Sequence, residues 1–214
     1  MRLFSLSRLR LGTGGGSAIA LALTLAAGTA CQAPPPPQAL QAKQMLAFPN
    51  EPFPVRLVNR KRFDAAFRPV EVPNTTGEPA GTIVIDTTSR HLYLVGSKDK
   101  AMRYGIAVGT AGYAWKGTAT VGRKSPWPAW YPTDEMKGVY PGIPARIPPG
   151  ADNPLGARAL YLYQGGQDTL YRIHGTSEPW TIGTQASSGC IRMFNEDVIA
   201  LYDKVPVGTR VVVR

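Results

Sequence analysis

The chain is poor in the two side chains most often used for nucleophilic and metal chemistry. Its 214 residues include two cysteines, Cys31 and Cys190, and two histidines, His91 and His174. Two cysteines this far apart exclude a disulfide framework and a Cys-x-x-Cys redox or zinc motif. Cys190, His174 and His91 could supply the three protein ligands of a catalytic zinc site. The Gly-Cys-Ile-Arg setting of Cys190 and the strand pattern around His91 argue against that use, so no metal is expected. Charge is also scarce, at 18% of residues, and 14 acids stand against 24 bases. The longest uncharged apolar run near the N-terminus, AIALALTLAA at 18–27, is shorter than the roughly 20 residues a spanning helix needs.

That run instead fits an export signal over residues 1–30, with Arg2, Arg8 and Arg10 as a positive leading region. It ends in Gly28-Thr29-Ala30-Cys31, which resembles the lipid-attachment box of bacterial lipoproteins, although Gly28 stands where Leu is usual. Lipidation of Cys31 and ordinary cleavage after a small residue are both open. The protein is expected in the periplasm, either soluble or anchored to a membrane through Cys31. Removing residues 1–30 lowers the net charge from +10 to +7. A basic exported protein does not meet nucleic acid. Its excess charge suits an anionic envelope polymer or membrane surface, or is simply a solvated face. An exported protein inhabits an oxidising compartment, where an unused thiol is unusual. A Cys31–Cys190 disulfide would tie a flexible tail to the domain.

High proline and glycine, 20 and 23 residues, favour a loop-rich β protein. Residues 32–48, with the four prolines Pro34-Pro35-Pro36-Pro37 near their start, read as an extended tether. Residues 49–80 read as an irregular strap laid on the domain, with Arg60-Lys61-Arg62 as solvated surface. From Gly81 onward, strands are predicted at 82–86, 91–95, 101–108, 118–123, 159–163, 169–174 and 210–214. A single short helix is predicted after Cys190, capped by Asn195, with Glu196 and Asp197 in its first turn and Val198, Ile199, Leu201 and Tyr202 as its apolar face. Between Trp115 and Pro154 lies a stretch rich in aromatics, with eight prolines from 126 to 154. Such a loop is either a binding lid or a packing flap.

Cys190 follows Gly189, which permits a sharp turn and leaves room for a reacting carbonyl. Backbone N–H groups there can face a developing oxyanion. A thiol needs a base or a nearby positive charge to react as thiolate. His174 ends the apolar strand Leu170–Ile173 and precedes Gly175, which suits a base, although a purely structural histidine fits the same pattern. His91 is mid-strand and is expected to have no chemistry.

Taken together, His174-Gly175-Thr176 and Ser187-Ser188-Gly189-Cys190-Ile191-Arg192-Met193 resemble the signature of the L,D-transpeptidases, the YkuD-like bacterial cell-wall enzymes. Asn153-Pro154-Leu155-Gly156, with Arg158-Ala159-Leu160, and the opening strands 81–94 extend the likeness over residues 81–214. The resemblance implies a mainly β, sandwich-like catalytic domain with the short helix and the long loop already noted, and no cofactor. It implies Cys190 as nucleophile, His174 as base and Gly175 as the carbonyl that orients the histidine. Gly189 and Ser188 would lie at the oxyanion and substrate site. Arg192 would steer a substrate carboxylate, unless it forms an internal salt bridge that shapes the loop. Ser188 replaces a histidine found in many members, which should change local polarity rather than abolish activity. The implied partners are peptidoglycan stem peptides, an envelope protein or lipoprotein as an alternative acyl acceptor, and carbapenems as covalent inhibitors. Hydrolysis of the same bonds and an inactive wall-binding protein are the alternatives.

Overall fold

The computed structural model describes residues 47–110, 115–187 and 189–214, so the expected export signal, Cys31, most of the expected tether and Ser188 lie outside the described residues. Eleven strands are present among the described residues: β1 (Val70–Pro73), β2 (Ile83–Asp86), β3 (His91–Val95), β4 (Lys100–Gly105), β5 (Val108–Gly109), β6 (Gly117–Pro126), β7 (Arg158–Gln164), β8 (Gln167–His174), β9 (Gln185–Ser187), β10 (Ile191–Arg192) and β11 (Arg210–Val213). Nine of them form one sheet in the order β1-β4-β3-β2-β11-β6-β7-β8-β10, and β5 pairs with β9. Most neighbours are antiparallel, but β11 runs parallel to β2 and β10 runs parallel to β8.

Burial on both faces marks the centre of the sheet, with β2 buried at Ile83, Val84 and Ile85 and β7 buried over its first five residues. In β2 and β11, Ile83, Ile85, Val211 and Val213 are buried β-branched residues of the kind that packs well on a pleated surface. Leu92 and Tyr104, from one side of the sheet order, share a single buried cluster with Ile173 and Ile191 from the other. The sheet therefore folds back on its own apolar face, which gives the sandwich-like core. The helix after Cys190, α2 (Asn195–Lys204), follows the shorter α1 (Asp134–Val139). It inserts Val198 and Leu201 into that cluster with no exposed surface. Burial of this kind contributes about 1.5–3 kcal/mol per side chain.

The helix is where expected but begins differently. Its N-cap is Phe194, with no side-chain cap bond. Asn195 is the first helical residue, and its carboxamide is used elsewhere. The first-turn acids hold the strap: Glu196 accepts from Val58 N–H at 3.1 Å and Asp197 receives both arms of Arg60 at 2.8 and 2.9 Å. Arg60 also lies 4.0 Å over the Phe194 ring. It is thus an anchor rather than solvated surface, whereas Lys61 and Arg62 are exposed. Val55 is fully buried, Phe63 meets Phe194 edge-on, and β1 adds a strand to the sheet. The strap region is more ordered than its composition suggests.

The stretch 115–154 divides in two. Its first part is β6, whose bulge at Gly122 lies under Tyr163, so closely that a Cβ there would sit 2.3 Å from that ring. In the remainder, Trp127 packs inward with Val55, Ala157 and Ile199 and donates to Glu51 at 2.6 Å. Tyr131 and Tyr140 face solvent. The packing-flap expectation holds for Trp127.

Candidate functional site

The site forms where β8 meets β10. Their parallel register pairs Ile173 with Ile191 and His174 with Arg192, so Cys190 enters β10 alongside Arg172 of β8. Upstream, β8 is irregular. Its pairing with β7 shifts between Tyr161 and Tyr163, and Leu170 is left-handed at φ 63°. Two side chains satisfy the distorted backbone: Asp168 accepts from Leu170 N–H at 2.9 Å, and Thr169 donates to the Leu162 carbonyl at 2.7 Å while accepting from Tyr171 N–H at 3.2 Å. The distortion turns the Leu170 carbonyl toward Cys190, whose thiol donates to it at 3.9 Å. Gly189, at φ 116°, has a backbone conformation that an L-residue rarely adopts.

His174 is buried, and its Nδ1 lies 2.5 Å from the Gly175 carbonyl. That contact makes Nδ1 the protonated nitrogen and leaves Nε2 as the basic one. The Gly175 backbone is fixed in turn. Its N–H donates to the Arg158 carbonyl at 3.0 Å. Asn195 Oδ1 accepts from Ala157 and Thr176 N–H at 3.0 and 3.2 Å, and Nδ2 donates to the Thr176 carbonyl at 2.9 Å. A Cβ on Gly175 would sit 2.1 Å from Asn195 Oδ1, so only glycine fits there. The sequence reading missed Asn195 in this role because it lies 19 residues beyond Thr176.

Burial, reinforced by the Arg192 and Arg172 charges, lowers the His174 pKa from 6.5 to about 3, against the opposing Gly175 contact. Cys190 is a half-buried reduced thiol. Burial raises its pKa, partly offset by the Arg172 backbone N–H and by the Arg172 and Arg192 charges, while Asp168 adds to the rise. The resting pair is therefore a neutral thiol and a neutral imidazole, with two guanidinium groups close enough to favour a thiolate once it forms.

Those two arginines differ. Arg192 pairs with Glu178 at 2.8 Å, which is the loop-shaping salt bridge, with a half-exposed carboxylate as partner. Arg172, which the sequence reading passed over, grips Asp168 with both arms at 2.6 and 2.9 Å and lies 4.4 Å over the Tyr161 ring. Arg123 covers the same ring at 3.4 Å. The readable signal was position: Arg172 and His174 are two apart on one strand and so share a face. His91 lies elsewhere, its Nε2 3.0 Å from the Ala66 carbonyl of the strap. No cluster of metal-ligating side chains occurs among the described residues, and no described helix is long and apolar enough to cross a membrane.

A sequence model of the YkuD family, described as the L,D-transpeptidase catalytic domain, matches residues 80–213. Among curated proteins, the chain is 37% identical over 148 residues to "Probable L,D-transpeptidase YbiS" of Escherichia coli K12, covering 65% of this chain and 45% of that protein. It is 38% identical over 138 residues to "Probable L,D-transpeptidase ErfK/SrfK" of the same strain, covering 60% and 42%. The chain thus spans less than half the length of these relatives. Among solved structures, one from Brucella melitensis, titled a "Probable carnitine operon oxidoreductase caia", is 51% identical over 73% of this chain and 99% of that one, with a TM-score of 0.49.

Proposed function

The chain belongs to the YkuD family of L,D-transpeptidase catalytic domains, and from that premise we propose that it is an L,D-transpeptidase acting on peptidoglycan. The observation that supports this reading most is the β8–β10 junction, which seats Cys190 beside a strand ending in a neutral, Nδ1-protonated His174. The donor is a tetrapeptide stem. Cys190 Sγ attacks the carbonyl of its third residue as the thiol proton passes to His174 Nε2. Backbone N–H groups at Gly189 and Cys190 receive the oxyanion. The C–N bond breaks, D-Ala leaves with the proton from His174, and a thioester remains. An acceptor amine then attacks, His174 takes its proton, and the thiol is restored. The acceptor is an amine on a second stem, giving a 3–3 cross-link, or one on an envelope protein. Water in its place gives hydrolysis.

In this mechanism Arg192 and Arg172 stabilise the thiolate while it exists. Arg192 also greets the stem carboxylate by exchanging Glu178 for it. The strained carbonyl of a carbapenem imitates the donor and acylates the same sulfur. The proposed location is the periplasm, with lipid attachment at Cys31 as the anchoring route, and residues 115–154 beyond β6 close over the bound stem. The test is incubation of the purified protein with muropeptides and mass analysis of the products. Loss of D-Ala with formation of a 3–3 dimer is the expected result. Intact muropeptides, together with no carbapenem adduct on Cys190, would sink the proposal.

A further inference from the structure

Beside the thiol, the β7–β8 hairpin carries a shallow pocket of about 280 Å³ lined by Trp115, Gln164, Gln167, Asp168, Thr169 and Tyr171. It adjoins the reacting sulfur directly, since Thr169 and Tyr171 bracket Leu170, whose carbonyl receives the Cys190 thiol. No step of the mechanism above is assigned to a lining side chain, although Asp168 and Thr169 hold the backbone at Leu170. We propose that this pocket binds a sugar ring of the glycan strand to which the donor stem is attached. The inference rests on the peptidoglycan reading and extends it to the carbohydrate.

The chemistry of the lining selects the ligand class. Asp168 is the only formal charge, and its carboxylate is matched by the two-armed grip of Arg172. The pocket therefore offers no net charge to an ammonium or carboxylate, which are the groups that distinguish a stem peptide. The Thr169 hydroxyl is already committed at both its donor and its acceptor side. What remains is two carboxamides and two rings. Gln164 donates through Nε2 to the Thr118 carbonyl at 3.3 Å, which presents its Oε1 as an acceptor. Gln167 is exposed at the hairpin, where its carboxamide can both donate and accept. Trp115 stacks on Tyr171 at 5.7 Å with an interplanar angle of 28°. Gly117 lets the indole lie this low, since a Cβ there would meet Trp115 at 3.0 Å. An aromatic platform beside neutral carboxamides matches a pyranose ring, which has an apolar C–H face and a rim of hydroxyl and acetamido groups. The volume, about 280 Å³, lies just under the roughly 300 Å³ at which ligand pockets begin, and suits one ring rather than a peptide side chain with its backbone.

The placement has a consequence for specificity. A ring held at the hairpin fixes the distance from the glycan to Cys190, so stems still attached to sugar would be preferred over released peptides through lower KM rather than higher kcat.

The test is titration of the whole protein, isotopically labelled, with the N-acetylglucosamine tetramer chitotetraose, followed through side-chain amide NMR signals. Saturable shifts of the Gln164 and Gln167 carboxamides are expected. Gln167→Ala, on an exposed site that does not threaten folding, should weaken binding several-fold, and Trp115→Ala by roughly tenfold. If chitotetraose at saturating concentration leaves both carboxamides unmoved, the proposal fails. It also fails if a sugar-free tetrapeptide moves them and the sugar does not. Sugar binding without any acyl transfer would refute the enzyme reading and leave this site standing. Acyl transfer from sugar-free stems without sugar binding would do the reverse.

Discussion

The two histidines are embedded in similar ways and do different things. Each is buried on a strand, and each has one ring nitrogen against a backbone carbonyl. His91 uses Nε2, and its partner is Ala66, 25 residues away in the strap. The Phe67 ring lies 5.5 Å from it and Tyr93 6.2 Å. His174 uses Nδ1, and its partner is the very next residue. The first arrangement points the far nitrogen across to another segment and spends it there. The second folds the near nitrogen back on the main chain and keeps Nε2 for whatever comes to the strand end. A histidine is thus read by which nitrogen the backbone takes, not by burial or by strand position.

The largest expected effect follows directly. His174→Ala should slow carbapenem acylation of Cys190 by about 10²–10⁴-fold, the usual worth of a general base. Cys190→Ala should abolish the adduct. His91→Ala should leave the acylation rate within a few-fold of the parent and cost about 0.5–1.5 kcal/mol in stability, because the Ala66 carbonyl loses one donor and keeps Arg103 at 3.3 Å. Intact-protein mass spectrometry against time measures the rates and thermal unfolding the stability. Equal rate losses at His91 and His174 would erase the distinction.

Next comes the support beneath His174. Asn195→Ala removes one side chain that serves two buried N–H groups, of Ala157 and Thr176, and the Thr176 carbonyl. Each stranded group costs about 1–3 kcal/mol, so a large fall in Tm is expected. The acylation rate should fall with it even at temperatures where the variant stays folded, because the Gly175 carbonyl is no longer fixed. Asn195→Asp keeps the acceptor but loses the donor to Thr176 and places a carboxyl in a buried site, so its Tm should fall as well. A variant that unfolds earlier yet acylates at the parental rate would show that Asn195 serves the fold alone.

What the sequence made legible follows the range of the interactions. The seven expected strands, the helix after Cys190 and the Gly-Cys turn are set by local spacing and backbone freedom and stand close to where those patterns place them, except that 101–108 divides into β4 and β5, while the short β1, β9, β10 and α1 carry no such local signal. Asn195 shows the other case. A capping residue at a helix start is the local reading, yet the side chain bonds to Ala157 and Thr176, and nothing local announces that. Arg60 failed in the same way: a basic triplet reads as surface until Asp197 is brought beside it. The β8 distortion is hidden more deeply, because Gln-Asp-Thr-Leu-Tyr-Arg-Ile-His alternates well enough to pass for a regular strand. Only its pairing with β7 forces Leu170 out of register.

A smaller effect separates the histidines from ordinary imidazoles. Burial lowers the pKa of both, that of His174 to about 3. The unfolded chain therefore binds protons that the folded chain refuses. The stability associated with a neutral His174 is complete above about pH 6.5 and is lost as pH falls from there toward 3. Acylation should show no inflection near 6.5, because His174 is already neutral on both sides of it. Nitrogen chemical shifts of the ring, followed from pH 7.5 to 5, should stay those of a neutral Nδ1–H tautomer. A titration centred near 6.5 would mean that the resting site is charged, and the acylation rate would then fall through the same range.

The smallest effect tests whether the β8 distortion is tolerated strain or a positioned group. Leu170 is exposed over 67% of its surface and takes a left-handed conformation, which costs an L-residue about 1–2 kcal/mol. Glycine relieves that strain but gains freedom in the unfolded chain, worth about 0.4–1 kcal/mol in the opposite direction. Leu170→Gly should therefore change stability by about 1 kcal/mol or less, on the stabilising side. Its carbonyl remains beside Cys190, since Asp168 and Thr169 still hold the backbone, so the acylation rate should persist. Asp168→Ala is the contrasting change. It frees the Leu170 N–H and also removes a carboxylate that raises the thiol pKa; the loosened backbone beside Cys190 should outweigh that easier ionisation, so acylation should slow several-fold at nearly constant Tm. If Leu170→Gly slows acylation as much as Asp168→Ala does, the side chain of Leu170, rather than the conformation it adopts, is what the site requires.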